Sequence, residues 1–424
     1  MHPSENDPRG LAAFAPALLL LIVSFVINYI DRGNVSVAAP LIRAEFGLSD
    51  SQLGILFATF FVTYTAGQFL MGWLVDRWDA TRLLAAGFLV WSLATALTGI
   101  VSGFVLLLAM RFILGLGESV AMPSGSKLLG MHLAEHHRGF ASGALMSALR
   151  FGNAVGTLGA GLLMARYGWR PVFLWVGLVS LLWLPAWRKW RPTSHPRPAH
   201  ADGAGPGFSD ILRQRSFWGT VGGHFCSNYL FYFMATWLPS YLVIERHLTM
   251  SGMARTAGLY YSVDAASAVL TGWLQDFAIR RGRSVTFVRK AAMAIGFSTA
   301  AVGVTGSALA GADTYLWWLL AAGWGCGMTG PGLFTFPQTL AGRHTVGKWY
   351  GWQNGFANFA GVIGPALTGF VLQDTGSFLA PFGITAGLCL VGVFSWVFVV
   401  GRVQQVDWAA ALQNVGAPTF EVKL

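Results

Sequence analysis

Charge is what this sequence has least of. Only 11% of its 424 residues are Asp, Glu, Lys or Arg, and the acidic residues number just 18. With 54% of the residues hydrophobic and a mean hydropathy of +0.54, there is too little polar surface to cover a particle in water, which excludes an ordinary soluble globule. Cys226, Cys326 and Cys389 stand singly in apolar runs without metal-ligand spacing. A disulfide scaffold is therefore excluded, and the three thiols read as small core residues. A phosphate-cradling glycine loop, a metal-ligand cluster and a nucleophile elbow are also missing, and the nine His are scattered. The expectation is a protein that is not an enzyme and holds no cofactor or metal.

What the sequence has is long apolar stretches. A spanning helix needs about 20 mainly apolar residues, and twelve such runs fall near 12–40, 50–74, 82–101, 104–129, 138–164, 170–188, 217–243, 253–278, 285–308, 314–339, 346–372 and 377–401. The expected fold class is an all-α membrane protein of twelve transmembrane helices embedded in a lipid bilayer. The first run is far longer than a signal-peptide core and lacks a small-residue cleavage site, so it is expected to be retained.

A net charge of +10 could point to nucleic acid. Of the 28 Lys and Arg, however, 19 fall on one side of the twelve-helix arrangement, 5 on the other (Arg43, Arg166, Arg170, Arg246, Arg255) and 4 inside spans (Arg32, Arg111, Lys127, Arg150). Excess Lys and Arg mark the cytoplasmic side. The basic balance thus reports topology, with both termini cytoplasmic, and no nucleic-acid partner is expected.

Residues 191–210, "RPTSHPRPAHADGAGPGFSD", break the apolar pattern with Pro, Gly and charge. They suggest a first bundle at 1–190, a mobile cytoplasmic linker at 191–213, a second bundle at 214–403 and a cytoplasmic tail at 404–424. The two halves repeat each other. "GWLVDRWDATR" from Gly72 and "GWLQDFAIRRGR" from Gly272 align at an offset of 200, while Gly139, Gly143, Gly156, Gly161 and Gly168 meet Gly347, Gly351, Gly364, Gly369 and Gly376 at an offset of 208. Glycines so spaced suit close helix contacts, and two pseudo-symmetric six-helix bundles follow.

With these features on the page the chain resembles the major facilitator superfamily. "NYIDRGNVS", "YTAGQFLMGWLVDR", "RFILGLGESVAMPS", "YFMATWLPSYLV" and "NGFANFAGVIGPALTGFVLQDTGSF" more narrowly resemble the anion:cation symporter family, which includes bacterial sugar-acid/proton symporters and the sialic acid and vesicular glutamate transporters. The resemblance implies two rocking six-helix halves and a substrate site between them. It also implies substrate or proton roles for the matching acidic and basic residues of helices 1 and 4, a substrate-contacting Tyr at Tyr64 in helix 2, and a contact from Asn358 in helix 11.

The charged positions can be read independently. An ionisable side chain at membrane depth costs several kcal/mol unless it faces a partner or a watery cavity, so function is the default reading. Arg111 and Glu118 are seven residues apart and share one helix face roughly 10 Å apart along the axis. Counting inward from the cytoplasmic ends at helical rise, Asp31, Arg32 and Arg111 come at similar depth, roughly 28 Å, and Glu118, Arg150 and Asn358 form a second layer roughly 18 Å in, with Asp264 slightly above it. Arg keeps its charge and offers a planar fork matched to a carboxylate, which makes Arg32 and Arg111 anion anchors. Asp31 and Glu118 are the proton carriers, because burial and neighbouring Arg oppose each other in setting a carboxyl's proton affinity. The bland alternative is that Asp31 with Arg32, or Glu118 with Arg111, form buried packing pairs.

Tyr64, Gln68, Asn354, Asn358 and Tyr232 are further substrate-binding candidates, with Tyr229 and Trp237 possible neighbours. Arg150 departs from the family pattern, which has an uncharged residue near this place. At the 208 offset it meets Asn358, so it either adds a third cavity cation, favouring a more anionic or differently shaped substrate, or pairs with Glu118 or Asp264. Asp264 is accordingly either an additional proton site or a partner of Arg150. His224 reads as a packing His and Lys127 as a snorkelling cation. Asp76 with Arg77 and Arg82, and Asp276 with Arg280, suit ion pairs of a cytoplasmic gate that break in each cycle. The expected function is proton-coupled uptake of a small organic anion, a sugar acid or other carboxylate, across the bacterial inner membrane, and nothing in the sequence requires more than a monomer. An efflux antiporter of the same fold, or an anion receptor without transport, are the rivals.

Overall fold

The structure, a computed structural model, describes residues 9–133, 135–192, 206–342 and 345–408. Most of the expected linker and tail therefore lie outside the described residues. Eight helices build the first half: α1 (Arg9–Phe46), α2 (Asp50–Arg77), α3 (Ala80–Thr98), α4 (Phe104–Glu118), α5 (Ala121–His132), α6 (Glu135–Tyr167), α7 (Trp169–Ser180) and α8 (Trp183–Trp190). A short helix α9 (Phe208–Leu212) leads into the second half, made of α10 (Arg215–Ser240), α11 (Met250–Arg280), α12 (Val285–Leu309), α13 (Tyr315–Ala341), α14 (Val346–Thr375) and α15 (Leu379–Phe394). Single π-helical turns at Tyr241–Glu245 and Ser395–Val399 extend α10 and α15. Because α4 continues into α5 and α7 into α8, these helices make twelve spans, each within a few residues of its expected place. Among the described residues there is no strand.

Two spans are interrupted. The break after Glu118 has a local cause in Pro123, whose ring nitrogen cannot donate to the carbonyl of Ser119 and so weakens the ladder one turn back. Helix ends follow ordinary capping chemistry. Ser49 and Gln52 form a reciprocal capping box at the start of α2, and Asp79 accepts from the Thr81 and Arg82 amides at the start of α3.

Seven helical segments among the described residues are long and apolar enough to cross a membrane by length and composition alone. None of them belongs to α2, α6, α10, α11 or α13. Of these, α2, α6, α10 and α11 pack against the other half.

The repeated glycines lie where the halves meet. On one side of the seam a Cβ on Gly161 of α6 would stand 2.5 Å from the Ala254 Cβ of α11. On the other side, a Cβ on Gly369 of α14 would stand 2.5 Å from the Asp50 carbonyl oxygen and 2.9 Å from the Gly54 Cα of α2. The two contacts are the same contact twice, since residues 161 and 369 are related by the 208 offset and residues 54 and 254 by the 200 offset. Gly168 and Gly376, also repeated, end α6 and α14 with positive φ of 78° and 65°, a backbone that glycine adopts without strain. The Ser51 amide also donates to Gln373 Oε1 across the seam at 3.2 Å. All these contacts lie toward the end remote from the linker, so the halves are sealed there.

A side chain larger than hydrogen at this seam would meet backbone, which cannot yield as a flexible side chain does. Oxidative cross-linking of a Ser51→Cys/Gln373→Cys pair, with Cys226, Cys326 and Cys389 replaced by Ala, is expected to proceed readily. Adding Gly369→Leu should reduce the cross-link severalfold, and an unchanged yield would rule out the seam described above.

Candidate functional site

The site forms where α1, α2, α4, α6 and α10 converge, and small residues make that convergence possible. A Cβ on Gly115 of α4 would come 2.4 Å from the Phe60 carbonyl oxygen of α2, and one on Gly117 would come 2.9 Å from the Trp91 amide nitrogen of α3. Gly152 and Gly156 bring α6 equally close to Tyr29 and Ile30 of α1. This close approach leaves Arg32 of α1 and Arg111 of α4 over the same ring, with each guanidinium carbon 4.8 Å from the Phe60 centroid.

The two arginines are unequally provided for. Arg32 donates through Nε and Nη2 to one carboxylate oxygen of Glu118, at 3.2 and 3.0 Å. It also stands over the rings of Tyr29 and Tyr64 at 4.6 and 4.3 Å, contacts worth about 0.5–2 kcal/mol each. Arg111 is only 4% exposed and makes neither hydrogen bond nor ion pair among the described residues; its Nε is buried without a partner. Its guanidinium rests on Phe60 and borders a small cavity also lined by Arg32, Asn153, Phe61 and Tyr232. A buried Arg that cannot shed its charge and forms no ion pair among the described residues has the chemistry to take an anion.

Neither bland pairing occurs. Glu118 pairs with Arg32 and not Arg111, and its Oε1 is left without a partner. Asp31 does not pair with Arg32, and both its carboxylate oxygens are buried without a hydrogen bond. The physical reason is direction: Asp31 and Arg32 are neighbours in sequence, so their side chains leave α1 about 100° apart, and only Arg32 faces the cavity.

Arg150 of α6 forms an ion pair with Asp264 of α11, joining the two halves. Of the two fates open to Arg150 in the sequence, the structure displays this pairing. On the second-half wall, Tyr232 donates its hydroxyl to Asn358 Oδ1 at 2.7 Å, and the Tyr232 ring packs on Phe61 at 4.4 Å. Tyr64 is buried against Phe60 and Arg32. Gln68 and Asn354 are half-buried and make no hydrogen bond among the described residues. Trp237 faces away from the charged groups, donating to the Pro365 carbonyl at 3.2 Å, and Tyr229 packs against Gly364. His224 accepts at Nδ1 from the Gln353 amide Nε2 at 3.0 Å, as a packing His would. Lys127 reaches the Val75 carbonyl.

The gate residues are less assembled. Asp76 has a side chain outside the described residues, while Arg77 is exposed. Arg82 pairs with Asp79 at 3.4 Å, the residue that caps its own helix. Asp276 and Arg280 are exposed and in no ion pair among the described residues. Sequence reasoning missed Phe60, Tyr29 and Asn153. The signal was present for the first two, since Tyr29 stands three residues before Arg32 and Phe60 four before Tyr64, spacings that share a helix face.

Comparison with known proteins agrees with this architecture. Residues 21–321 match the family described as Major Facilitator Superfamily. The chain is 30% identical over 399 residues to the hexuronate transporter of Bacillus subtilis (strain 168), covering 88% of this chain and 92% of that protein. It is also 30% identical to a probable sulfoacetate transporter of Cupriavidus necator (90% and 92% covered) and 27% identical to a probable galactarate/D-glucarate transporter of B. subtilis (93% and 92%). Among solved structures, a bacterial homologue of the human lysosomal transporter Spinster, in an inward-facing and occupied conformation, superposes with a TM-score of 0.72 at 18% identity, covering 94% of this chain and 96% of that one. With its twelve spans, its repeated halves and a charged site between them, the chain belongs to the major facilitator superfamily of membrane transporters.

Proposed function

We propose that the protein is a proton-coupled symporter that takes up a small organic anion, a sugar acid or related carboxylate, by rocking its halves about the central site. One observation carries the reading: Arg111 is a buried guanidinium at membrane depth, on a cavity wall, with no counter-ion. A cationic cargo would be repelled there, and a carboxylate would complete the site with a bidentate pair. Hexuronate, sulfoacetate and galactarate or glucarate, the cargoes named for the similar proteins, are all organic acids.

In this mechanism the substrate carboxylate docks on Arg111 and competes with Glu118 for Arg32. Tyr64, Tyr232 and Asn358 supply donors and acceptors for hydroxyl groups. Displaced from Arg32, Glu118 needs a proton to remain buried at tolerable cost, and Asp31, already without partners, is a second carrier. Binding of anion and proton is thereby linked, and the neutralised site lets the halves rock. The seal at the end remote from the linker corresponds to an inward-facing state in a bacterial inner membrane with both termini cytoplasmic. Asp76, Arg77 and Arg82, with Asp276 and Arg280, would approach when the halves close at the linker end.

Two measurements in proteoliposomes test the reading, using a panel of radiolabelled carboxylates with and without an inward proton gradient. Arg111→Gln should raise the substrate KM roughly thirtyfold or more, a loss of about 2 kcal/mol or greater; uptake at the wild-type KM would refute the anchor. Asp31→Asn should keep exchange of internal for external substrate while losing gradient-driven accumulation, and accumulation at the wild-type level would remove Asp31 from the coupling.

A further inference from the structure

The twofold repeat that relates the seams also relates their polar occupants. Position 150 meets position 358 at the 208 offset, and position 64 meets position 264 at the 200 offset. The Arg150/Asp264 pair therefore stands on one flank of the central space where Asn358/Tyr64 stand on the other. One flank holds neutral donors and acceptors; its twin holds a guanidinium and a carboxylate. Four observations bear on what that charged flank does.

First, Arg150 stands beside the cavity of the anion anchors, one helical turn from a residue of its wall. Asn153, one turn along α6, lines the cavity that Arg32 and Arg111 line, and Tyr29, which lies under Arg32, is within electrostatic range of Arg150. Second, a place is kept for the guanidinium. A Cβ on Gly330 of α13 would come 2.4 Å from Arg150 Nη2, so any larger residue there would displace it. Third, the pair is half-satisfied. Asp264 engages Arg150 through Oδ2, while its Oδ1 is buried without a hydrogen bond. Fourth, the arrangement copies the other arginine, since Arg32 too is held by a carboxylate with one orphaned oxygen, Glu118 Oε1. Each of these internal carboxylates occupies a guanidinium in the way that an external acid group would.

Resting on the reading above, we propose that Arg150 is a second acid-group subsite, held by Asp264 until substrate arrives, and that the preferred cargo is a dianion with an acidic group at each end. One acid group docks at Arg111 and Arg32 in the first half. The other takes Arg150 from Asp264, whose carboxylate then accepts a proton to stay buried. The groups facing Asp264 are Arg150 from α6, Cys326 from α13, and Tyr260 and Tyr261 from α11 itself, so Arg150 is the one cation among them. The second acid group accordingly brings a second proton with it, and because Arg150 and Asp264 belong to different halves, the exchange also releases a tie between the halves.

The test uses acids that differ chiefly by one acidic group: D-glucarate against D-glucuronate, and sulfoacetate against acetate, each as labelled substrate and as competitor in proteoliposomes. The full-length wild type should favour the dianion of at least one pair tenfold or more in KM. The double variant Arg150→Gln/Asp264→Asn removes both charges together, leaving no buried orphan to unfold the chain. It should raise the dianion KM tenfold or more while moving that of the monoanion less than threefold. Asp264→Asn alone should keep dianion binding but transport one proton fewer per dianion, measured from the reversal potential. Absence of dianion preference in both pairs, or an equal effect of the double variant on both partners of a pair, overturns the second subsite. Loss of all uptake in Arg111→Gln alongside such a result would leave the anion-transport reading standing, whereas intact uptake in Arg111→Gln would count against that reading itself.

Discussion

An arginine cannot give up its charge, and a membrane interior offers it nothing to replace water. Three guanidiniums in the spans must therefore each find an answer inside the protein. Arg32 is answered by Glu118 and three aromatic rings, and Arg150 by Asp264 across the seam. Arg111 has one ring and a cavity. The three solutions differ, and the unfinished one is the ground for the proposed ligand site. Buried ion pairs are seldom a net gain in stability compared with apolar packing, so two such pairs beside one uncompensated Arg make sense as working parts more readily than as structural glue.

Around this charged centre the packing is built by removal of side chains. Gly115 and Gly117 let α4 lie against α2 and α3, Gly152 and Gly156 let α6 lie against α1, and Gly161, Gly54 and Gly369 let the halves touch through backbone. Close backbone contact across a seam has no interlocking side chains to withdraw, which suits surfaces that separate and rejoin. Dispersion contacts between such surfaces are individually small and reversible.

The spans and the repeated glycine contacts were legible because each leaves a one-dimensional trace, apolar length or an offset repeat, and the candidate site residues stood out as charges where lipid should be. The pairings were not. Counting along the helix axes puts Arg32 and Glu118 in layers about 10 Å apart, yet the Arg32 side chain crosses that interval to meet Glu118. Axial depth says nothing of side-chain reach or of the azimuth at which each residue leaves its helix, and Asp31 and Arg32 part company for that reason. Phe60 and Tyr29 escaped notice among the 31 Phe and 10 Tyr of an aromatic-rich chain, where only a cation over the ring distinguishes one from another. Arg82 also pairs with the helix cap Asp79, a local contact that a repeat motif does not reveal.

The five spans that fall short of membrane-crossing apolarity, α2, α6, α10, α11 and α13, carry a cost at birth. A helix enters the bilayer from the ribosome's exit path according to its own transfer free energy, and polar or glycine-rich segments partition poorly when alone. These helices contain several of the groups proposed to recognise cargo, including Tyr64, Arg150, Tyr232 and Asp264. The working surface of the protein therefore has to be inserted in company, each weak span held at the membrane by an apolar neighbour such as α1, α12 or α14 until its polar face is covered.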